Sequence, residues 1–423
     1  MVPTRRLIVL FLASVLHPLS VPAADRCSGV DVNDLEKYHA RVVQLEALVT
    51  KMKESESTPG PDSSRLHQAK SDLLDAFEKE QCAEDAQYQA TKGVKNRDFL
   101  QVPLLYVTDR QYSNKPPDYY SSSRKADGLD YGRVDTIIPD LAVGKPLILG
   151  ANRINLTNQQ PEGEMRPPQV LTQSDFDKAI ADHRLHTPPG TPLRVLLYVH
   201  GYDVSQHEAA VSAATLAVSL KISVVPVFYS WPSSGRKAEY WHDEDTVRTS
   251  YLRFLPFLEH LLSDPVDEVI IVCHSMGARI VTPALGELAR KGIKSPKLRK
   301  VAFAAADIDI EEFNEQWRDL RQLQDIEWNM YESSKDGALY LSHWVHSDRR
   351  LGDSDGGLYI VGGADTIDAS ATASTLQFMG HSYVVHSPAV GADLGDWISQ
   401  DLPPSSRGLL KAKQAGNVYW RFP

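Results

Sequence analysis

Four β-branched residues in a row, Val269, Ile270, Ile271 and Val272, run into Cys273-His274-Ser275-Met276-Gly277 and then into the apolar-rich run Ala278 to Arg290. β-branched side chains favour extended backbone. A buried strand is therefore expected at Glu268–Cys273 and a helix at Met276–Arg290. A strand passing straight into a helix through so short a turn forces the residue at its tip into strained backbone, with its side chain held out. Ser275 occupies that tip. Gly277 supplies a small residue two positions later, where strand and helix run close together. Cys273, two positions before, stands where the commonest form of this elbow has glycine, so the pattern is met in part. Pro283 lies inside the helical run and is expected to kink it.

From about residue 98 the same rhythm fills the chain. Strands are expected at Val102–Thr108, Val134–Ile138, Arg194–Val199, Val224–Tyr229, Lys300–Ala305, Ile326–Tyr331 and Thr366–Ala369. Helices are expected at Ser174–His183, Gln206–Lys221, Asp245–Leu262, near Glu311–Leu323 and near Val390–Ile398. Strands alternating with helices imply an α/β fold, a mostly parallel sheet with helices on both faces. In such sheets, functional groups sit on loops at the carboxyl ends of the strands.

A serine hydroxyl becomes a useful nucleophile only when a base takes its proton, and the base needs an acid to hold its tautomer. The acid candidates on the loops after the elbow are Asp307, Asp309 and Asp336, with Asp336 following the strand that ends near Tyr331. Histidines beyond the acid are His343, His346, His381 and His386. His343 and His346 come before the last strand. His381, in Met379-Gly-His-Ser-Tyr383, comes after it and is preferred, with His386 in reserve. Negative charge developing on an attacked carbonyl needs backbone N–H donors. Met276, next to the serine, offers one. The loop His200-Gly201-Tyr202-Asp203 offers the other, with Tyr202 N–H as the donor and Gly201 letting the backbone turn inward.

These residues carry a resemblance. The chain resembles the alpha/beta-hydrolase superfamily, and more closely a bacterial branch of uncharacterised exported serine hydrolases. The segments concerned are Tyr106-Val-Thr-Asp-Arg110, Tyr131-Gly-Arg133, Tyr198-Val-His-Gly-Tyr202, Tyr229-Ser-Trp-Pro-Ser233, Tyr240 to Asp245, His274-Ser-Met-Gly277, Ala306-Asp-Ile-Asp309, Ser334-Lys-Asp-Gly-Ala-Leu339 and Gly380-His-Ser-Tyr383. They occur in order over roughly residues 100–400. The resemblance implies Ser275 as nucleophile, Asp336 as acid and His381 as base. It says little about substrate.

Residues 1–97 lie outside it. Arg5 and Arg6, the apolar run Leu7 to Leu16 and the small residues around Val21-Pro22-Ala23 have the form of a cleaved signal peptide over residues 1–23, implying a periplasmic or secreted protein. Residues 24–97 are expected to form a helical hairpin. Its first helix has apolar positions Leu35, Tyr38, Val42, Leu45, Val49 and Met52, and a breaker separates it from a second with Leu66, Ala69, Leu73, Ala76 and Phe77. The hairpin shades the site or mediates self-association. Residues 98–423 are the alpha/beta-hydrolase domain. Exported chains can hold disulfides, and Cys27 and Cys82 flank the hairpin, while Cys273 reads as a buried small hydrophobe.

The 423 residues carry a formal charge of −10, which disfavours nucleic acid or an anionic membrane as partner. No run after the leader is long and apolar enough to span a bilayer. Neither a phosphate-cradling loop nor a zinc-binding helix motif is present, so no cofactor is expected. Trp231 reads either as pocket lining or as wall packing, the acids of Trp241 to Asp245 as a helix start, and Asp353-Ser-Asp-Gly-Gly357 as a turn. The expectation is a serine hydrolase cleaving a small-molecule or lipid ester through an acyl-enzyme. Alternatives are a non-catalytic hydrolase-like scaffold binding an envelope partner, or hydrolysis of a thioester, lactone or amide.

Overall fold

The computed structural model describes residues 30–55, most of 65–83, 98–139, 147–155, 163–234, 240–293, 296–336, 338–339, 342, 348–372 and 383–423. The leader at 1–23, Cys27, His343, His346 and His381 lie outside the described residues.

The strands run in chain order as β1 (Asp98–Thr108), β2 (Arg110–Tyr112), β3 (Tyr120–Arg124), β4 (Asp130–Pro139), β5 (Asn152–Asn155), β6 (Glu164–Met165), β7 (Gln169–Leu171), β8 (Arg194–Val199), β9 (Val225–Ser230), β10 (Glu268–His274), β11 (Leu298–Ala304), β12 (Glu327–Glu332), β13 (Asp365–Asp368), β14 (Leu410–Gln414) and β15 (Asn417–Arg421). The helices are α1 (Leu35–Ser55), α2 (Gln173–Asp182), α3 (Gln206–Ser219), α4 (Tyr240–Ser263), α5 (Ala278–Arg290), α6 (Ile310–Leu320) and α7 (Pro388–Gln400), with a short helical turn at Tyr383–His386.

One sheet takes the strands in the order β14-β15-β13-β12-β11-β10-β8-β9-β1-β4-β6. From β1 through β9, β8, β10, β11, β12 and β13 every pairing is parallel. On one side β4 and β5 pair antiparallel with β1, and on the other β15 joins β13 in parallel before β14 closes antiparallel on β15. The expected mostly parallel sheet is thus the one observed.

Period-two side-chain alternation divides the apolar runs between two cores. Val195, Leu197 and Val199 of β8 and Val269, Ile271 and Cys273 of β10 join the face that carries α2, α4, α5 and α6. Leu196, Tyr198, Ile270 and Val272 join the opposite face with α3 and α7. Both faces are covered, which is why these strands read as unbroken hydrophobic runs. Val42, Leu45 and Val49 of α1, with Leu66, Ala69, Leu73 and Ala76, belong to the first of these cores. The two N-terminal helical segments line one groove together, with Lys37, Tyr38, Arg41 and Gln44 facing Asp72, Asp75, Ala76 and Lys79. Cys82 is disulfide-bonded and Cys273 is a buried free thiol. Among the described residues no helix is long and apolar enough to cross a membrane.

α5 runs from Ala278 to Arg290 with Pro283 inside it, and a 3-10 turn at Ser275–Gly277 precedes it where the expected helix began at Met276. The antiparallel hairpin β14–β15 has no counterpart among the strands expected from sequence.

Candidate active site

β10 delivers Ser275 at its carboxyl end, where the chain must leave the sheet and open α5. The turn is so tight that Ser275 sits at φ +52°, a left-handed conformation that a non-glycine residue adopts at a cost of about 1–3 kcal/mol. Gly277 is required here. A Cβ on it would lie 2.6 Å from Val199 O and 2.7 Å from His200 O, so the start of α5 lies directly against the end of β8. Gly201 is required for a second reason. Its Cβ would lie 2.6 Å from the Cβ of Ser275. The loop after β8 therefore lies in contact with the serine, as expected for the loop that supplies an oxyanion donor. Met276 is buried at the opening of the helix and Tyr202 is half-buried.

What holds that loop is a buried polar chain. Arg110 Nε donates to Ser230 Oγ at 2.8 Å, Ser230 Oγ lies 3.3 Å from His200 Nε2, and His200 Nδ1 lies 2.7 Å from the Gly201 carbonyl. Burial, seconded by the nearby Arg110 charge, holds His200 well below its ordinary pKa. The ring is therefore neutral, and the contacts assign its proton to Nδ1. The Gly201 carbonyl then accepts from His200. Because the Gly201–Tyr202 peptide is trans, its N–H points the opposite way, away from the imidazole. Trp231 stacks on His200 with ring centroids 5.1 Å apart, and its Nε1 donates to His200 O at 2.8 Å. Trp231 is fully buried. Of its two readings, the structure gives wall packing.

Asp243, in the first turn of α4, does more than complement a helix dipole. Its carboxylate accepts from Ser233 Oγ at 2.5 Å, Ser234 N at 2.6 Å and Asp203 N at 3.3 Å. Ser233 Oγ in turn accepts from Val204 N at 3.1 Å. Burial raises the Asp243 pKa to about 6. Arg110 adds a bond from Nη1 to Ser233 O at 3.0 Å and one from Nη2 to Val204 O at 2.5 Å, and burial brings its own pKa down to about 10. The sequence pattern gives no role to Arg110 and only a helix start to Asp243, although both stand in segments that carry the resemblance.

The three acid candidates separate by what they bond. Asp309 is the N-cap of α6, its Oδ1 accepting from Glu311 N at 2.8 Å and Glu312 N at 3.0 Å. Asp307 pairs with Arg279 at 3.2 Å and Arg350 at 3.4 Å, and accepts from Ser342 Oγ at 2.8 Å. Its backbone N donates to Ser275 O at 3.1 Å, so it braces the elbow. Asp336 lies in the loop after β12, 2% exposed, with Oδ1 accepting from Leu339 N at 3.0 Å.

Two bonds tie later parts of the chain to β12 and the loop that follows it. Ser334 N donates to Ser370 Oγ at 2.9 Å, tying the loop after β12 to the one after β13. Tyr383, two residues beyond His381, is buried and donates to Tyr331 O at 2.9 Å. Burial first, and then the charge of Asp336, push the Tyr383 hydroxyl up. Asp353 Oδ1 accepts from Asp355 N at 2.8 Å, and Gly356 and Gly357 have positive φ, which makes that segment a turn.

The family model described as an alpha/beta hydrolase of unknown function (DUF900) matches residues 177–396, just over half of the chain. The chain belongs to this alpha/beta-hydrolase family. The match spans every strand from β8 to β13, and with them the elbow, the loop after β8 and the acid loop. Among solved structures, an esterase of the bacterial hormone-sensitive lipase (HSL) family aligns with a TM-score of 0.32 at 10% identity, over 86% of this chain and 99% of that one. A mutant of the esterase E40 aligns with a TM-score of 0.31 at 11% identity, over 85% and 98%. Scores this low carry no weight on what the chain does. No curated protein matches.

Proposed function

We propose that this hydrolase is a serine esterase that cleaves carboxylic esters through an acyl-enzyme. One observation carries the reading: Ser275 is held at φ +52° on the strand-to-helix turn with Gly201 against its Cβ. Such strain is kept where a side chain must be presented in one direction. In this reading His381 takes the proton from Ser275 Oγ as that oxygen attacks the ester carbonyl, then gives it to the leaving alcohol. Asp336 orients His381 and stabilises its charged form. Met276 N–H and Tyr202 N–H receive the oxyanion, the latter aimed by the His200 bond to the other side of its peptide. Water activated by His381 releases the acid.

A second reading has its own support. Ser275 is only 2% exposed, which suits a hydrolase-like scaffold whose pocket is closed. A fluorophosphonate probe on the folded protein separates the two, with Ser275→Ala as control. Labelling of wild type and none of the variant supports the esterase. No labelling of wild type favours the scaffold, and labelling that survives the substitution identifies a different serine. A panel of short- and long-chain esters, with thioesters and lactones beside them, then assigns the bond. The leader pattern at residues 1–23 supports export, which N-terminal sequencing of the mature protein tests.

A further inference from the structure

Away from the elbow, one group of side chains gathers metal-binding chemistry. Asp177 stands on α2, His260 in the last turn of α4 and Asp264 just past its end. His260 and Asp264 are four apart, which puts both on one face, while Asp177 arrives from a separate helix. His260 Nε2 lies 2.9 Å from Asp177 Oδ1 and 3.5 Å from Asp264 Oδ1. One ligand atom from each of the three residues lies within 4.8 Å of the others.

A histidine bridging two carboxylates accounts for two of those contacts. It does not account for the remaining oxygen. Asp264 is 8% exposed, and its Oδ2 is buried with no hydrogen-bond partner among the described residues. Leaving such an oxygen unsatisfied costs about 1–3 kcal/mol. Lys297 Nζ donates to the Asp264 backbone carbonyl and not to that oxygen.

We propose that Asp177, His260 and Asp264 bind a divalent cation of the zinc type, clamping α2 to the end of α4. Bonds of about 2.0–2.2 Å at a tetrahedral centre set ligand-to-ligand edges of roughly 3.3 Å. The distances of 2.9 and 3.5 Å straddle that value and all three ligand atoms lie within 4.8 Å of one another, so a modest closing of the cluster places them on one face of the tetrahedron. Water completes the shell. One imidazole with two carboxylates selects zinc, cobalt, nickel or manganese over calcium and magnesium, which take oxygen-only shells. Tyr131, Phe176 and Phe257, with ring centroids 5.2 to 6.4 Å apart, form a rigid base beside Asp177. Asp267, three residues after Asp264, fastens the entry to β10, its Oδ2 accepting from Leu193 N at 2.7 Å. Ser275 leaves the far end of that strand, about 20 Å away at 3.3 Å per residue. The cation is therefore structural, and it stabilises the fold without taking part in ester cleavage.

The test uses the full chain, stripped with a chelator and titrated with zinc chloride at pH 7.5 by calorimetry, with thermal unfolding alongside. One equivalent binds, and Tm rises by several degrees as expected for a ligand of the folded state. His260→Asn and Asp264→Asn each weaken binding at least tenfold. Absence of zinc binding to folded wild type overturns the proposal. So does undiminished binding by His260→Asn, the result expected from stray sites among the 14 histidines. Should circular dichroism show either variant unfolded, Asp177→Asn, at a partly exposed helical position, decides the same question by the same titration.

Discussion

Ser275 and Gly201 share a contact so close that neither can be understood alone. The serine needs its left-handed backbone to present Oγ, and the glycine needs to lack a side chain for the loop after β8 to reach the serine. Gly201→Ala places a Cβ 2.6 Å from that of Ser275, so the loop must retreat and take its N–H with it. We expect kcat on a short-chain ester to fall by about 10²–10³, the cost of one lost oxyanion donor, with KM little changed. An unchanged kcat would remove this loop from the site. The places of Ser275, Gly277 and Gly201 at the turn were legible because they follow from local chain geometry. Arg110 and His200 were not, since a buried bond from one strand to another depends on which residues face each other.

Close backbone contact also decides the larger pieces. Gly395 in α7 faces α3, where a Cβ would lie 2.2 Å from Leu220 O. Gly395→Ala improves helix propensity by up to about 1 kcal/mol, yet it must push the helices apart. Urea unfolding is expected to show net destabilisation of about 1–3 kcal/mol. Asp243 joins α4 to the loops after β8 and β9, and its pKa near 6 gives a second test. The folded value is raised above the unfolded one, so folding takes up a proton between about pH 4 and 6. Stability from this group is present below about pH 4 and is lost as pH rises through 6. The loss is about 2–3 kcal/mol. Asp243→Asn should flatten the stability profile by that amount across the window. A profile parallel to wild type would mean that Asp243 titrates normally. The parallel strands were legible from their β-branched runs because both faces are buried. β14 and β15 were not, because their residues are mostly exposed or half-buried and their pattern is the mixed polarity of an edge.

At the scale of the molecule, the N-terminal helices and the sheet share a core. Val42, Leu45, Val49 and Leu73 belong to the same contiguous cluster as the α4, α5 and α6 face. Removing residues 24–97 is expected to lower Tm and raise binding of a hydrophobic dye, because that apolar surface is returned to water. A truncated chain as stable as the full one would contradict the shared core. The architecture from residue 98 onward was legible because alternating periods of strand and helix allow few sheets. The convergence of loops across β8, β10, β12 and β13 was inferred from chain order. The most direct test of that convergence is a crystal structure of the chain trapped with a phosphonate ester. Phosphorus is expected to be bonded to Ser275 Oγ, with the phosphonyl oxygen about 2.7–3.1 Å from Met276 N and Tyr202 N and His381 bridging Asp336 to the serine. An adduct on another residue, or His381 out of reach of both, would contradict it.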